Sequence, residues 1–396
     1  MNRRDTLRAL IGTGALIGLS ACGDLPRGPA VPRGGMARAT VLGIPNERFH
    51  PLADNRSLQD ELMHAAERRR VRHGVATPFD IPQYDMLAVS GGGEDGAFGA
   101  GLLCGWSEHG DRPVFDWVTG VSTGALTAPF AFLGSAYDAK LREVYTGITA
   151  KDVLKERGLI AALTDDALAD NAPLFATLSR YLDQQMLADL ATAYNEGRLL
   201  LIGTSDFDSQ HAVIWNIGAI AASGHPRARD TIGRVLLASA AIPGAFPPTM
   251  IDVTMDGKPY QEMHVDGGAF AQAFLYPPSL TSQRAAARQR DLPVEAYVIR
   301  NGRLDPNWSH TKRQTLGIVG RAIDTMITVS GMNDVVRMYN TTRADGIGFN
   351  LAYIGQDFSD VSPAPFDQGY MRKLFDYGHA RGRQGYPWSK KPPIAA

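Results

Sequence analysis

A glycine-rich stretch that directly follows a short apolar run restricts the fold of this chain more than any other feature. The apolar run is Tyr84–Val89, and residues 90–101 then read "SGGGEDGAFGAG", with six glycines in twelve residues. Consecutive glycines let a backbone come close to a bound group, although they cost conformational entropy. The pattern predicts a strand, a loop that holds a negatively charged group, and a helix that Gly110 ends.

Two kinds of negative group fit such a loop, a nucleotide phosphate and the oxyanion of a reaction. The glycines at positions 91, 93 and 96 formally match the dinucleotide fingerprint G-x-G-x-x-G. The acidic residue that should end the second strand about 20 residues later is not in place, so this match is weak. No Lys-Ser or Lys-Thr pair follows the glycines, which excludes a P-loop.

A second glycine-flanked motif follows the next apolar run, "FDWVTGV". Residues 120–124 read Gly-Val-Ser-Thr-Gly, the pattern G-x-S-x-G, and the segment after them can start a helix that Pro129 should kink. A strand-to-helix turn this tight needs flanking residues without side chains, and it exposes the serine hydroxyl at the helix N-terminus. The motif is common in glycine-rich chains, but its position predicts that Ser122 is a nucleophile.

A single reaction, acyl transfer through a serine, explains both the glycine loop and the serine motif. Acyl transfer through a serine passes through a tetrahedral oxyanion, which preorganised N–H groups must stabilise. We expect Gly91, Gly92 and Gly93 to supply such donors, together with the N–H group of Thr123. The group that the opening loop holds is therefore predicted to be an oxyanion.

A third motif, Asp266-Gly267-Gly268, ends a run of alternating apolar and polar residues. The tripeptide alone is typical of a turn. In this order, however, the glycine loop, the G-x-S-x-G serine and the D-G-G aspartate resemble the patatin-like phospholipase family. The resemblance implies a three-layer α/β/α fold with a mainly parallel central sheet. It also implies a catalytic dyad of Ser122 as nucleophile and Asp266 as general base, without histidine.

The resemblance extends over residues 84–300, where residues 197–221 and 236–248 also look like family blocks. One position departs from the family pattern, because the loop usually carries Arg or Lys just before its last glycine and this chain has Asp95 there. An acidic side chain is stabilising at a helix N-terminus, so Asp95 need not destabilise the fold. The exchange removes a positive charge close to the expected ester.

Two alternatives to the dyad remain open in the sequence. A Ser-Asp-His triad could use His379, which follows the aspartate in chain order, or His264, two residues before Asp266. His379 falls on the polar side of a segment with helical periodicity, which favours a surface position. The other alternative is a non-catalytic patatin-fold lipoprotein with a binding or assembly role. Asp95 favours that reading, and the presence of both dyad residues opposes it.

The first 21 residues have the pattern of an export signal. Basic residues precede a short apolar run at residues 9–19, and small residues then lead to Cys22 in the sequence Leu-Ser-Ala-Cys. This resembles the bacterial lipobox, whose cysteine is acylated. We therefore expect an exported bacterial lipoprotein, anchored through Cys22 to the outer membrane or the periplasmic face. Once Cys22 carries lipid, Cys104 has no disulfide partner, and its apolar surroundings predict a core position.

The remaining chain shows ordinary globular composition, with a formal net charge of −1 at pH 7. Nothing in it predicts nucleic-acid binding, a metal site or a cofactor. We expect residues 22–80 to form a tether and an N-terminal helical segment, and residues 81–300 to form the hydrolase core. Residues 301–396 should pack on the same domain without contributing chemistry. The expected substrate is a membrane lipid or a lipid-like ester.

Overall fold

The structure is a computed structural model that describes residues 25–393, apart from residues 55, 82, 158–165, 278–279, 281–292, 307, 309 and 312. The export signal and Cys22 lie outside the described residues. The strands, in chain order, are β1 (Arg48–Phe49), β2 (Tyr84–Val89), β3 (Trp117–Gly120), β4 (Lys155–Glu156), β5 (Ala169–Asp170), β6 (Leu199–Asp206), β7 (His211–Asn216), β8 (Thr249–Met255), β9 (Lys258–Asp266), β10 (Val294–Arg300) and β11 (Gly348–Tyr353).

The helices lie between these strands and after them. In chain order they are α1 (Arg56–His73), α2 (Gly96–His109), α3 (Thr123–Leu133), α4 (Asp138–Gly147), α5 (Ala150–Val153), α6 (Ala172–Tyr181), α7 (Gln184–Asn195), α8 (Ile217–Ala222), α9 (Ala228–Ser239), α10 (Thr315–Asp345) and α11 (Gln368–Arg383). Among the described residues, no helix is both long and apolar enough to cross a lipid bilayer.

The central sheet has a parallel middle and an antiparallel side. Strands β6, β3, β2, β10 and β11 are neighbours in that order, and every pair among them is parallel. Strands β7 and β9 pair antiparallel with β6, while β1 adds to β7 and β8 adds to β9, which completes nine strands. The structure thus confirms the predicted α/β class with a mainly parallel central sheet.

Strand β2 shows how the two faces of the sheet are filled. Leu87 and Val89 belong to one buried apolar cluster, whereas Met86 and Ala88 belong to the other. Successive side chains of a strand point to opposite faces, so an apolar run of this kind is buried on both sides. Helices α2 and α11 contribute to the first cluster, and α1 and α10 contribute to the second.

Helix α2 ends where its sequence predicts. It ends at His109, and Gly110 follows in the left-handed conformation with φ 98°, its N–H group bonded to the carbonyl of Trp106. Cys104 is buried within this helix, and burial raises the pKa of its thiol to about 12, which confirms its assignment to the core. An added Cβ at Gly101 would lie 2.0 Å from the carbonyl oxygen of Phe375, so α2 needs a glycine where α11 crosses it.

The segment expected to be a tether packs against the turn between β6 and β7 and against the hairpin of β8 and β9. The guanidinium of Arg27 pairs with the carboxylate of Asp208, and the N–H group of Gly28 donates to the side chain of Gln261 at 2.9 Å. Thr40 forms an antiparallel bridge with Thr254 of β8. The described N-terminal residues therefore lie along the strands that lead to Asp266.

Candidate active site

Ser122 occupies the turn between β3 and α3 in a strained backbone conformation. Its φ is 57° and its ψ is −128°, a combination that non-glycine residues rarely adopt. An added Cβ at Gly120 would lie 2.5 Å from the carbonyl oxygen of Gly124, and one at Gly124 would lie 2.2 Å from that of Val89. Both glycines of the G-x-S-x-G motif are therefore required by close backbone contacts, as the sequence predicts.

Two buried contacts hold this turn in place. The N–H group of Ser122 donates to the hydroxyl of Ser239 at 3.0 Å, and that hydroxyl donates to the carbonyl of Gly203 at 2.7 Å. Ser239 is the last residue of α9 and Gly203 lies within β6. The serine turn is thus tied to the strand next to β9, although the motif search did not single out Ser239.

The glycine loop lies beside Ser122 at the carboxyl end of β2. An added Cβ at Gly91 would come within 3.1 Å of the Ser122 Cβ, and one at Gly92 would lie 2.0 Å from the carbonyl oxygen of Asn301. Gly93 has a φ of 58° and open space where a Cβ would be. Gly91 thus allows the close approach to the serine, Gly92 allows the approach to Asn301, and Gly93 allows the left-handed backbone.

The four N–H groups predicted to bind an oxyanion differ in their availability. Gly91 donates its N–H group to the carbonyl of Gln272 at 2.9 Å, so that group is already engaged. Within the described part of the chain, the N–H groups of Gly92, Gly93 and Thr123 have no hydrogen-bond acceptor. The structure therefore leaves three of the four predicted donors free.

Asp266 ends β9 at the same edge of the sheet. It lies opposite Thr204 of β6 in the strand register, and its backbone N–H group donates to the carbonyl of Ala241 at 2.9 Å. Its side-chain Oδ1 accepts the N–H group of Gly268 at 2.6 Å. An added Cβ at Gly268 would lie 2.9 Å from that oxygen, which explains the second glycine of the D-G-G motif.

The carboxyl of Asp266 is buried next to Ser122. Burial raises its pKa to about 7, while the Ser122 hydroxyl and the N–H group of Gly268 act in the opposite direction. Its Oδ2 is shielded from solvent and makes no hydrogen bond of standard geometry with any described residue. The Ser122 hydroxyl is nevertheless close enough to the carboxyl to lower its pKa.

A largely apolar cavity opens beside the serine. Its walls include Gly93, Ser122 and Thr123. The apolar part of its lining is formed by Leu126, Phe130, Val144, Ile148, Val153, Leu174, Leu178, Ala240, Ile242, Phe246, Phe366 and Met371. Because most of the lining is apolar and Ser122 is part of it, the space suits a hydrocarbon chain attached to a reacting carbonyl.

Asp95, the residue that departs from the family pattern, is hydrogen-bonded to the C-terminal segment. Its Oδ1 accepts the hydroxyl of Tyr370 on α11 at 2.6 Å, and burial raises the pKa of its carboxyl to about 6. The neighbouring Glu94 accepts the backbone N–H group of Phe366. Both acids thus bind the loop to the C-terminal segment, where the sequence had indicated no chemistry.

A positive charge does lie under the loop, but it comes from another part of the chain. Arg300, the last residue of β10, is buried and donates to the Ser90 hydroxyl at 3.2 Å and to the carbonyl of Gly91 at 3.0 Å. The side-chain amide of the next residue, Asn301, donates to the carbonyl of Ser90 at 2.9 Å. No short motif marks either residue, so sequence reasoning missed both.

Neither histidine considered for a triad contacts the serine or the aspartate. His264 is fully buried, with one ring nitrogen 2.9 Å from the Thr204 hydroxyl and the other 3.0 Å from Glu262. His379 lies on α11, where its ring contacts Glu108 at 2.8 Å. Among the described residues, no group of three or more acidic, histidine or cysteine side chains could hold a metal ion.

The comparisons with known proteins identify the central part of the chain. The model of the family described as patatin-like phospholipase matches residues 87–276. The chain is similar to the solved structure of VipD from Legionella pneumophila, with 12% identity, a TM-score of 0.37, and coverage of 77% of this chain and 67% of that one. Its similarity to human GIVD cytosolic phospholipase A2 has 9% identity and a TM-score of 0.33.

The alignment with the human enzyme covers 82% of this chain but only 56% of the human one. No curated protein matches the chain in sequence. The family match includes the glycine loop, the serine motif and the D-G-G motif. The chain therefore carries, over residues 87–276, a domain of the patatin-like phospholipase family, a family of lipid hydrolases.

Proposed function

We propose that the protein is a lipid acyl hydrolase in which Ser122 is the nucleophile and Asp266 is the general base. The observation that carries this proposal is the buried carboxyl of Asp266 beside the strained serine turn. A carboxyl with a pKa of about 7 is a far better base at neutral pH than an exposed aspartate. The family match supports lipid esters as the substrate class.

In the first half of the reaction, the Ser122 oxygen attacks the ester carbonyl. Its proton passes to the carboxylate of Asp266, and the carbonyl π electrons move onto the oxygen of a tetrahedral intermediate. The intermediate collapses when the C–O bond to the alcohol breaks, and Asp266 returns the proton to the leaving oxygen. The products of this half are a free alcohol and an acyl-serine.

In the second half, water replaces the serine as nucleophile. Asp266 accepts a proton from the water as it attacks the acyl carbonyl, and the proton then returns to the Ser122 oxygen as the acyl bond breaks. The fatty acid leaves and the enzyme is restored. One carboxyl thus serves as base and acid in both halves, which requires its pKa to lie near the working pH.

The oxyanion of each intermediate is stabilised by backbone N–H groups. Gly92, Gly93 and Thr123 are free to donate, and the N-terminus of α3 adds the favourable end of a helix dipole. The engaged N–H group of Gly91 instead fixes the loop to Gln272. We therefore assign Gly91 to positioning and the other three residues to the oxyanion hole.

The apolar cavity beside Ser122 is proposed to hold the acyl chain of the substrate. Burial of each CH₂ group in such a cavity contributes about 0.8 kcal/mol to binding. The export signal and Cys22 add a second proposal, that the mature protein is an exported lipoprotein held at a membrane by its acylated N-terminus. Such an anchor would keep the cavity at the surface where its substrate lies.

The non-catalytic alternative rested on Asp95, which was expected to change the charge beside the ester. That carboxyl accepts the Tyr370 hydroxyl instead, and the guanidinium of Arg300 lies under the loop. Both contacts support the catalytic proposal over a binding-only role. The histidine triad is likewise unsupported, because His379 contacts Glu108 and not the dyad.

The proposal is tested by hydrolysis of a short-chain p-nitrophenyl ester and of a phospholipid, each followed with purified protein. We expect turnover by the wild type and a loss of about a thousandfold or more in Ser122→Ala and in Asp266→Asn. His379→Ala is the matched control and should keep full activity. Loss of activity in His379→Ala would establish a triad, and an inactive wild type would favour the binding-only alternative.

A further inference from the structure

The side-chain amide of Gln272 lies between the glycine loop and the Asp266 turn. Its Nε2 group donates to the carbonyl of Gly268 at 3.0 Å, and an added Cβ at Gly268 would lie 2.6 Å from that nitrogen and 2.9 Å from Asp266 Oδ1. The other end of the amide, Oε1, lies 2.9 Å from the position of an added Cβ at Gly91. The same position is 3.8 Å from the Ser122 hydroxyl oxygen, so the amide lies beside both members of the proposed dyad.

The contact with Gly268 decides which end of the amide lies beside the serine. The carbonyl of Gly268 can only accept a hydrogen bond, so the end of the Gln272 side chain that contacts it must be the NH₂ group. The acceptor Oε1 is therefore the end beside Gly91 and Ser122. Among the described residues, no N–H or O–H group donates to Oε1, and Gln272 is only 5% exposed. A free acceptor thus lies next to the nucleophile.

The backbone of Gln272 is fixed at both of its polar groups. Its N–H group donates to the buried carboxylate of Asp334 at 2.6 Å, and its carbonyl accepts the N–H group of Gly91 at 2.9 Å. The Asp334 carboxylate is held in turn by Arg337 at 2.7 Å. Since the side-chain nitrogen is also engaged, the free oxygen has little freedom to move away from the serine. A group held in this way can orient a reactant without an entropic cost during the reaction.

Hydrolysis of the acyl-serine leaves one proton without an acceptor in the proposed dyad. The attacking water carries two protons, and Asp266 accepts only one of them. The second O–H group needs another acceptor if the water is to be oriented in a site whose lining is mostly apolar. The acylation half has no such requirement, because the Ser122 hydroxyl carries a single proton.

We propose that Gln272 orients the water that hydrolyses the acyl-serine, with Oε1 accepting one of the two O–H groups. This inference rests on the proposed acyl hydrolase function and adds a residue to its second half. As the water oxygen bonds to the acyl carbon, the carbonyl π electrons move onto the oxyanion and one proton passes to Asp266. The other proton stays on the water oxygen, hydrogen-bonded to Gln272. The carbonyl then re-forms as the C–O bond to Ser122 breaks, the proton on Asp266 passes to the serine oxygen, and the fatty acid leaves with the second proton.

The proposal is tested by measuring the two halves of the reaction separately in Gln272→Leu. Release of p-nitrophenol from a short-chain ester in a single turnover gives the acylation rate, and mass spectrometry of the intact protein follows the loss of the acyl group. We expect deacylation to slow about tenfold to a hundredfold, because the water is no longer oriented, and acylation to stay within about twofold of the wild type. The variant acylated at Ser122 should therefore accumulate.

A matched control and a second variant accompany this measurement. Gln185→Leu, which removes an exposed amide on α7, should leave both rates unchanged. Gln272→Met keeps an unbranched side chain without the amide, and it should repeat the effect if the branched leucine disturbs the fold. Labelling of Ser122 by a fluorophosphonate needs no hydrolytic water, so both Gln272 variants should be labelled at the wild-type rate. That result would show that the fold and the base are intact.

A purely structural role for Gln272 predicts a different pattern. Because Asp266 acts in both halves of the reaction, a residue that only held the Asp266 turn would slow acylation, deacylation and labelling together. That result would overturn the proposal, and so would unchanged deacylation in both Gln272 variants. Absence of labelling in the wild type would instead contradict the proposed hydrolase itself, so the two failures are distinguishable.

Discussion

The guanidinium of Arg300 donates to the carbonyl oxygen of Gly91 at 3.0 Å, across more than two hundred residues of chain. In a trans peptide unit the C=O and N–H groups point in opposite directions. Because the carbonyl of Gly91 faces the buried Arg300, the N–H group of Gly92 points away from Arg300 and from the buried side of the loop. Arg300 is thus a positioning residue for one proposed oxyanion donor.

Replacement of Arg300 should slow the chemical step more than it weakens substrate binding. We expect Arg300→Ala to lower kcat about tenfold to a hundredfold with little change in KM, because the Gly92 donor is no longer held in place. Millimolar guanidinium should restore part of the activity. Arg303→Ala, which removes a partly exposed guanidinium paired with Asp305, is the control and should behave as the wild type. A rise in KM without a change in kcat would contradict the positioning role.

Activity should depend on the protonation of Asp266. Burial raises the pKa of this carboxyl to about 7, so the base is protonated and inactive below that pH. We expect kcat/KM for a soluble ester to rise with pH and to reach half its maximum near pH 7. A profile that stays flat down to pH 5 would show that the base has an ordinary carboxyl pKa, and would contradict the burial argument.

The same raised pKa has a consequence for stability. The contribution of Asp266 to the free energy of unfolding is fully present below about pH 4, the pKa of this carboxyl in the unfolded chain. Above that pH the folded protein must keep the carboxyl protonated, so the contribution is lost as the pH rises toward the folded pKa of about 7. Asp266→Asn keeps the shape without the charge and should raise the free energy of unfolding by about 2–4 kcal/mol at pH 8. At pH 4 the two proteins should unfold at nearly the same denaturant concentration.

Several elements follow directly from local patterns in the sequence. The run Tyr84–Val89 is a strand, and Gly110 ends the helix that follows the glycine loop. These features depend on interactions between near neighbours, such as the left-handed glycine at a helix end. The strained turn at Ser122 could be predicted for the same reason, because the flanking glycines mark the tight approach of strand and helix.

The supporting contacts of the site could not be predicted in this way. Arg300 and Asn301 end a strand with no motif, and they meet the loop only because β10 lies next to β2 in the sheet. Gly91 was predicted to be an oxyanion donor, but Gln272 accepts its N–H group, which depends on a distant turn. Long-range pairing of this kind has no local signal that a single sequence reveals.

Substitution of Asp95 tests how much this residue contributes to the stability of the fold. Asp95→Arg, which restores the residue type that the family usually carries, should destabilise the fold by about 2 kcal/mol or more. The Tyr370 hydroxyl would lose its acceptor, and the new cation would add a like charge to the field of buried Arg300. Tyr370→Phe removes the same hydrogen bond without a new charge and should cost about 1–2 kcal/mol. Thermal unfolding of both variants measures the difference, and an Asp95→Arg protein as stable as the wild type would contradict this account.

The central claim is that Ser122 is an activated nucleophile, and covalent labelling tests it most directly. Purified protein is treated with a fluorophosphonate, and the modified residue is located by mass spectrometry of its peptides. We predict a single adduct on Ser122, formed much more slowly in Asp266→Asn and at the wild-type rate in His379→Ala. Absence of an adduct on Ser122, or labelling of Asp266→Asn at the wild-type rate, would contradict the dyad.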